Sequence, residues 1–372
     1  MVAEQRQLRV LIAAGGTVGH VAPSLAVAEA LRARGVEVTF AGSPDRVEAR
    51  LVPERGYPFD PFRVVGFPRR PGVQLARALA LAVAAPVECG RILARRRPDV
   101  VLGGGGFVAG PMVVAARLRG LPTALTEADA HLGLANRLAL PFAQRLFLSY
   151  AIPGVNGKAR VVGRPIPSTS RSLPRDEARR KLSLPEDGQL VLVTGGSQGA
   201  WTLNEAAVDA WAEQGPHVLH LCGDRDYEAL RPRVTREDYR LLPFVHDFGA
   251  AVGSADLVVS RAGGAVWEIA AAGKPAVLVP YPHATSDHQR ANARYFSDAG
   301  GAVIVDDADA HGSVPTLVAE LLADEPRLRA MSDAMRGAAK PDAAERIADE
   351  LVELAAAPGR RRRRSSGRAS AI

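Results

Sequence analysis

The sequence predicts an α/β protein made of two Rossmann-like parallel-sheet domains that face each other across an interdomain cleft. Three observations carry that prediction. Short runs rich in Val, Ile and Leu alternate with longer Ala-, Leu- and Arg-rich stretches, which is the beat of parallel βα units. The alternation occurs in two series, separated by the Pro- and Ser-rich segment GRPIPSTSRSLPRDE. Each series also opens with G-G-[ST]-x-G between a strand and a helix, as AAGGTVGH at 13–20 and VTGGSQGA at 193–200.

In order, the first series places strands at 8–14, 36–41, 99–103 and 122–126, and the second at 189–194, 217–222, 255–260, 275–279 and 302–306. Between them, Pro165, Pro167, Pro174 and the Ser/Thr cluster disfavour regular structure, so this stretch reads as a hinge. The expected division is an N-terminal domain at 1–163, a hinge at 164–185 and a C-terminal domain at 186–342. A helix at 343–357, too late for the second sheet, is expected to pack back on the N-terminal domain, and 358–372 is a basic tail.

A chain of 372 residues, 47% hydrophobic and 23% charged, has the composition of a globular protein with two ordinary domains. Aromatics at 5% argue against a stacking surface for RNA or sugar. Cys89 and Cys222 are too few for a disulfide framework or a four-ligand zinc site, which fits a reducing cytoplasm. The net charge of +7 hints at nucleic acid until it is localised. Six of the arginines lie in 359–372, which holds no acid, leaving +1 on the rest. The body is nearly neutral, and the run Arg360 to Arg364 is a solvated tail, either incidental or able to adhere to anionic lipid or nucleic acid. MVAEQRQ leads straight into LRVLIAAGG, so no signal peptide is expected. The stretch 72–90 is broken by Arg77 and Glu88, so no membrane span is expected either.

Glycine without a Cβ lets the backbone turn sharply and lets N–H groups approach a phosphate. Gly15, Gly16 and Gly19 do not match G-x-G-x-x-G, and neither loop has the Walker Lys and hydroxyl, so dinucleotide and ATP readings weaken, although Asp45 after the second strand could have held a ribose. A third loop, GGGGFVAGP at 103–111, suggests backbone approach by a ligand. His20, just after the first glycines, would point into the cleft as a general base or a substrate hydrogen-bond partner, or serve packing. Glu127 and Asp129 in TEADAHLGLANR follow another strand end; they could bind sugar hydroxyls, share the base role, or cap the helix carrying Asn136. In the second half Gly263 and Gly264 open a helix that carries Glu268, a carboxylate suited to two ribose hydroxyls beside a phosphate. Asp287, His288 and Gln289 supply polar side chains for a sugar. Asp224 and Asp226 form a D-x-D pair, read as a surface turn more readily than as a metal site.

With these motifs in this order (GGTVGHVAPSLAVAEAL, GGGGFVAGP, EADAHLGLANR, GGSQGAWTLNE, SRAGG with Glu268, and DHQRANA), the chain resembles the MurG family of peptidoglycan glycosyltransferases from about residue 8 to about 306. The resemblance implies the GT-B fold and an inverting transfer of N-acetylglucosamine from UDP-N-acetylglucosamine to the lipid-linked acceptor, lipid I, at the inner, cytoplasmic face of the cell membrane. It implies no cofactor and no essential metal. It places Thr17, Val18 and Gly19 against the donor sugar and phosphate, Ser197 on the diphosphate, Val245 beside uracil, and Gly264 and Glu268 at phosphate and ribose. His288 and Gln289 would address the N-acetylglucosamine, with Gly105, Phe107 and Asn136 on the acceptor side. His20 is the leading candidate base, with Asp129 and Glu127 beside it.

Departures from the family pattern are Asp129 for Asn, Pro167 where an Arg is expected with Arg164 close by, a one-residue-shorter SRAGGAVWE, and Phe107 for Tyr. They leave open a GT-B enzyme acting on another lipid or natural-product acceptor, and the paired Rossmann design is shared by a second alternative, a UDP-sugar 2-epimerase. Leu75, Leu79 and Val83 at helical spacing, collared by Arg69, Arg70, Arg77 and Arg91, form either a membrane-facing or a core-facing stripe.

Overall fold

The computed structural model describes residues 6–65, 73–155, 157–196 and 199–357, with the backbone alone for 73–84. The first sheet has seven strands: β1 (Arg9–Ala14), β2 (Glu37–Gly42), β3 (Phe59–Pro61), β4 (Val100–Gly105), β5 (Thr123–Glu127), β6 (Arg145–Leu148) and β7 (Ala159–Val161). They run in the order β3-β2-β1-β4-β5-β6-β7, and every pairing is parallel. The second sheet has six strands: β8 (Leu190–Thr194), β9 (His217–Leu221), β10 (Tyr239–Leu242), β11 (Leu257–Ser260), β12 (Ala276–Leu278) and β13 (Ala302–Ile304). Their order is β10-β9-β8-β11-β12-β13, again all parallel. Strands β1, β4, β8 and β11 are buried on both faces by flanking helices, which is why they read as continuous apolar runs. The short strands β3, β6, β7 and β10 are additional to those expected.

The strand order reverses between β1 and β4 in the first sheet and between β8 and β11 in the second. Loops diverge there and open a crevice at the carboxyl ends of the strands. The glycine motifs occupy the ends of those four strands and the loops that follow, at 15–17, 103–107, 195–196 and 261–265.

Two elements cross between the lobes. The helix Ala343–Ala356 buries Ala344, Ile347, Ala348 and Leu351 in the core of the first lobe with Leu25, Leu31 and Phe147. Their spacing of three and four is one helical face. Arg34 bonds Asp349 at 2.7 Å and Arg145 bonds Glu350 at 3.0 Å along its edges. In the other direction Tyr150, after β6, packs into the second lobe's core, its ring 5.2 Å from Trp267 and 5.4 Å from Tyr295.

The linker is more ordered than its prolines suggest. It holds a helix, Arg175–Lys181, that starts directly after Pro174, with Asp176 and Glu177 in its first turn and Arg179, Arg180 and Lys181 in its last. Proline is tolerated at a helix start, and this charge order complements the helix dipole. Arg179 is fully buried there, bonding Asp256 at 2.9 Å and the carbonyls of Ser254, Pro185, Glu186 and Gly188.

Candidate active site

The first glycine loop is shaped by a buried carboxylate. Glu48 accepts from the Gly16 N–H at 3.0 Å and the Ser43 N–H at 3.0 Å, and a Cβ on Gly15 would lie 2.1 Å from its Oε1. The loop's inner face is thus occupied by the chain's own anion. Thr17 takes the N-cap position of the helix Val18–Ala33, and its hydroxyl lies 3.2 Å from His20 Nδ1. Thr17, Val18 and Gly19 are exposed at the mouth of the crevice.

The glycine block after β4 makes room for protein, contrary to the expectation that it makes room for a ligand. A Cβ on Gly104 would lie 2.1 Å from Ser24 Oγ, on Gly105 2.6 Å from His20 Cδ2, and on Gly106 2.1 Å from the Gly15 carbonyl. Gly105 and Gly106 also have positive φ. The block seats the His20 ring against the β4 loop, and Phe107 packs its ring against Gly16. Burial and the Arg164 guanidinium push the His20 pKa below its ordinary value, opposed by Asp129 and the Gly15 carbonyl. The imidazole is therefore neutral near pH 7, with its Nδ1 within hydrogen-bonding distance of the Thr17 hydroxyl.

Glu127 and Asp129 part company. Glu127 is buried and accepts from the N–H groups of Ala128 and Gly133 at 3.0 and 2.9 Å and from Asn136 Nδ2 at 2.9 Å, so it organises its own loop. Burial raises its pKa, with those donors pulling it back. Asn136 spends its other amide hydrogen on the Thr126 carbonyl, and its buried Oδ1 has no partner among the described residues. Asp129 is the half-buried carboxylate whose field reaches His20.

Asp129 is held from the opposite lobe by a residue the sequence reading did not single out. Asn292, fully buried, accepts from the Ala130 N–H at 2.9 Å and donates to Asp129 Oδ1 at 3.2 Å and the Ala262 carbonyl at 3.1 Å. It lies one turn beyond Gln289 on the helix His288–Asp298, a spacing that could have flagged it. Arg164, which the sequence reading named only as lying close to the expected arginine, is central here. It is 8% exposed and makes no ion pair among the described residues, its charge being felt by Glu268. It donates to the Gly19 carbonyl at 2.6 Å and the Ala128 carbonyl at 3.4 Å, and it lies against Gly264, where a Cβ would be 2.5 Å from its Nη2.

On the second lobe, Gly263, Gly264 and Ala265 lead into the helix Val266–Ala271, which carries Glu268. Burial raises the Glu268 pKa, while the Ser170 hydroxyl and Arg164 draw it down. Val245 lies half-buried between β10 and the helix Phe248–Ser254. Gln289 accepts from the Tyr281 N–H at 2.9 Å, and His288 Nδ1 lies 2.8 Å from the Thr285 carbonyl. Ser197 falls outside the described residues. Asp226 is no surface turn: it is buried, with bonds from Arg225 at 2.6 and 2.8 Å and from Asn204 at 2.9 Å. Among the described residues no cluster of three or more His, Cys, Asp or Glu could hold a metal ion.

Loops of the two lobes thus meet, with a neutral imidazole and a carboxylate on the first, a glycine-opened helix on the second, and the buried Arg164 guanidinium between them. Comparison with known proteins gives that arrangement a family. Residues 10–148 match the glycosyltransferase family 28 N-terminal domain and residues 190–347 the glycosyltransferase family 28 C-terminal domain. A UDP-N-acetylglucosamine–N-acetylmuramyl-(pentapeptide) pyrophosphoryl-undecaprenol N-acetylglucosamine transferase from Halothermothrix orenii is 36% identical over 90% of this chain and 95% of its own. Its counterpart from Acidithiobacillus ferrooxidans is 43% identical over 93% and 98%. The crystal structure of Acinetobacter baumannii MurG superimposes with a TM-score of 0.76 at 30% identity, covering 93% of this chain and 99% of that one. The chain belongs to glycosyltransferase family 28 and, within it, to the MurG family.

Proposed function

We infer that this protein transfers N-acetylglucosamine from UDP-N-acetylglucosamine to the C4 hydroxyl of N-acetylmuramoyl-pentapeptide in lipid I, giving lipid II. The observation that carries the reading is the family membership over nearly the whole chain, joined to a crevice whose chemistry suits a single displacement. The acceptor hydroxyl attacks the anomeric carbon from the face opposite UDP, so the configuration inverts. The His20 imidazole takes the proton as the C–O bond forms, and Asp129 stabilises the imidazolium. The departing diphosphate needs positive charge, which Arg164 and the N–H groups around Gly264 supply without a metal. Arg164 here stands in for the family arginine that Pro167 replaces.

Thr17, Val18 and Gly19 flank the donor sugar, Ser197 meets the diphosphate, Val245 the uracil, Glu268 the ribose, and His288 with Gln289 the N-acetyl sugar. Gly105, Phe107 and Asn136 shape the acceptor side. The second reading, an epimerase, would turn over the UDP-sugar with no acceptor present.

A lipid-linked acceptor brings the protein to a membrane surface. Among the described residues no helix is long and apolar enough to cross one. We place the contact on the cytoplasmic face, through anionic lipid at the helix Val73–Arg96 and the arginine tail. The side chains of Leu75, Leu79 and Val83, like residues 358–372, lie outside the described residues. Sedimentation with anionic vesicles at low and high salt tests it: salt-reversible binding is expected, and equal partition onto neutral vesicles would overturn the electrostatic part.

The decisive assay is radiolabel transfer from UDP-N-acetylglucosamine to a short-chain lipid I analogue. Transfer is expected from the wild type, with severe loss in His20→Ala. Glu268→Gln should weaken UDP binding by about 1–3 kcal/mol, the scale for a buried polar group left mispaired. Unchanged UDP affinity in that variant would remove the ribose assignment.

A further inference from the structure

We propose that a recess on the first lobe, lined by Ser43, Asp45, Arg46, Arg63, Val64 and Phe107, is a subsite for the carboxylate-bearing peptide of the acceptor. The inference rests on the functional reading above and extends it to a part of the substrate remote from the reacting atoms. The recess has a volume of about 470 Å³. Its walls follow β2, β3 and β4, so it opens at the carboxyl ends of the strands, on the same side of the sheet as His20.

Its position fits a group tethered beside the reacting hydroxyl. The Phe107 ring forms one wall and also touches Gly16, in the loop that carries Thr17 and leads to His20. In an N-acetylmuramoyl sugar the peptide leaves from the carbon next to the C4 hydroxyl, so a chain running out over Phe107 enters the recess. Glu48 separates the recess from the glycine loop by taking the Gly16 and Ser43 N–H groups, so a ligand here meets side chains and not loop amides.

The side chains select the ligand. Arg46, Arg63 and Asp45 are exposed, and none joins an ion pair among the described residues. Guanidinium groups pair with carboxylates through two parallel hydrogen bonds. Asp45 disfavours a bare dianion such as a diphosphate, and it accepts from the N–H groups that a peptide brings with its carboxylates. Val64 and Phe107 give apolar wall for aliphatic side chains.

The test compares two lipid I analogues that share sugar and diphosphate, one with its peptide carboxylates free and one with them amidated. The wild type should favour the free acid in kcat/KM, and Arg46→Ala with Arg63→Ala together should abolish a preference of roughly 10-fold. Arg63→Lys alone should keep part of it, because the charge remains while the fork is lost. An equal fall on both acceptors would assign the recess to the diphosphate and overturn the proposal, as would an unchanged preference. Absence of transfer to either acceptor by the wild type would instead overturn the functional reading itself.

Discussion

The charge of Asp129 is felt by His20, so one substitution separates their roles. The His20 pKa lies below 6.5 because burial and Arg164 disfavour the imidazolium, while Asp129 works the other way. A reaction that needs neutral imidazole therefore loses rate only as pH falls beneath that lowered value. In Asp129→Asn the raising influence disappears, the pKa drops further, and the acid limb of kcat/KM should move to lower pH, with a lowered but measurable plateau because the imidazolium loses its stabilising charge. Loss of transfer at every pH would make Asp129 the base. Residue types at strand ends made His20, Asp129 and Glu268 legible from sequence, since such positions face a crevice whatever the packing. What the sequence could not disclose was orientation. Glu127 carries the same carboxylate as Asp129 two residues away, yet three donors within its loop turn it inward. Asn292 acts across lobes, and only the docking of one lobe on the other brings it to Asp129.

At the scale of elements, the two glycine loops share a signature but differ in what fills them. The loop after β1 is closed from beneath by Glu48, which belongs to the helix Glu48–Glu54 after β2. A diphosphate on the first lobe would meet a buried carboxylate, which supports proposing the nucleotide site on the second. Glu48→Ala strands two backbone N–H groups, each worth about 1–3 kcal/mol when unsatisfied. The variant should lose thermal stability and transfer activity together, and unchanged melting would show the carboxylate dispensable. The doubled βα beat was legible because strands buried on both faces keep an apolar run. The helix Arg175–Lys181 was hidden by prolines that in fact mark its start. The C-terminal helix, in contrast, announces its face through Ile347, Ala348 and Leu351. Leu351 is fully buried, so Leu351→Ala should cost about 2–5 kcal/mol by denaturant titration. A cost within 0.5 kcal/mol would mean that the helix does not seal the first lobe.

For the whole molecule, the lobes exchange elements in both directions. The first lobe's core is completed by a helix from the chain's C-terminal part, and the second lobe's core by Tyr150 from the first. Neither lobe can unfold without exposing apolar surface belonging to the other, so heat should unfold the protein in one transition despite its two sheets. Trp267 is the place to break that coupling, because its ring meets Tyr150, Tyr295 and Phe296 and is 1% exposed. Trp267→Ala removes this packing from the second lobe and leaves the helix Ala343–Ala356 seated in the first. The loss expected for a buried aromatic is about 3–5 kcal/mol. It falls on one lobe, so calorimetry should resolve two transitions, the earlier one lost from the lobe that holds Glu268. UDP binds the folded form and should raise the earlier transition alone, by mass action. A single transition in the variant, lowered as a unit, would mean that the lobes are joined chiefly through the C-terminal helix. Separate transitions in the wild type would mean that the exchange of elements does not couple them at all.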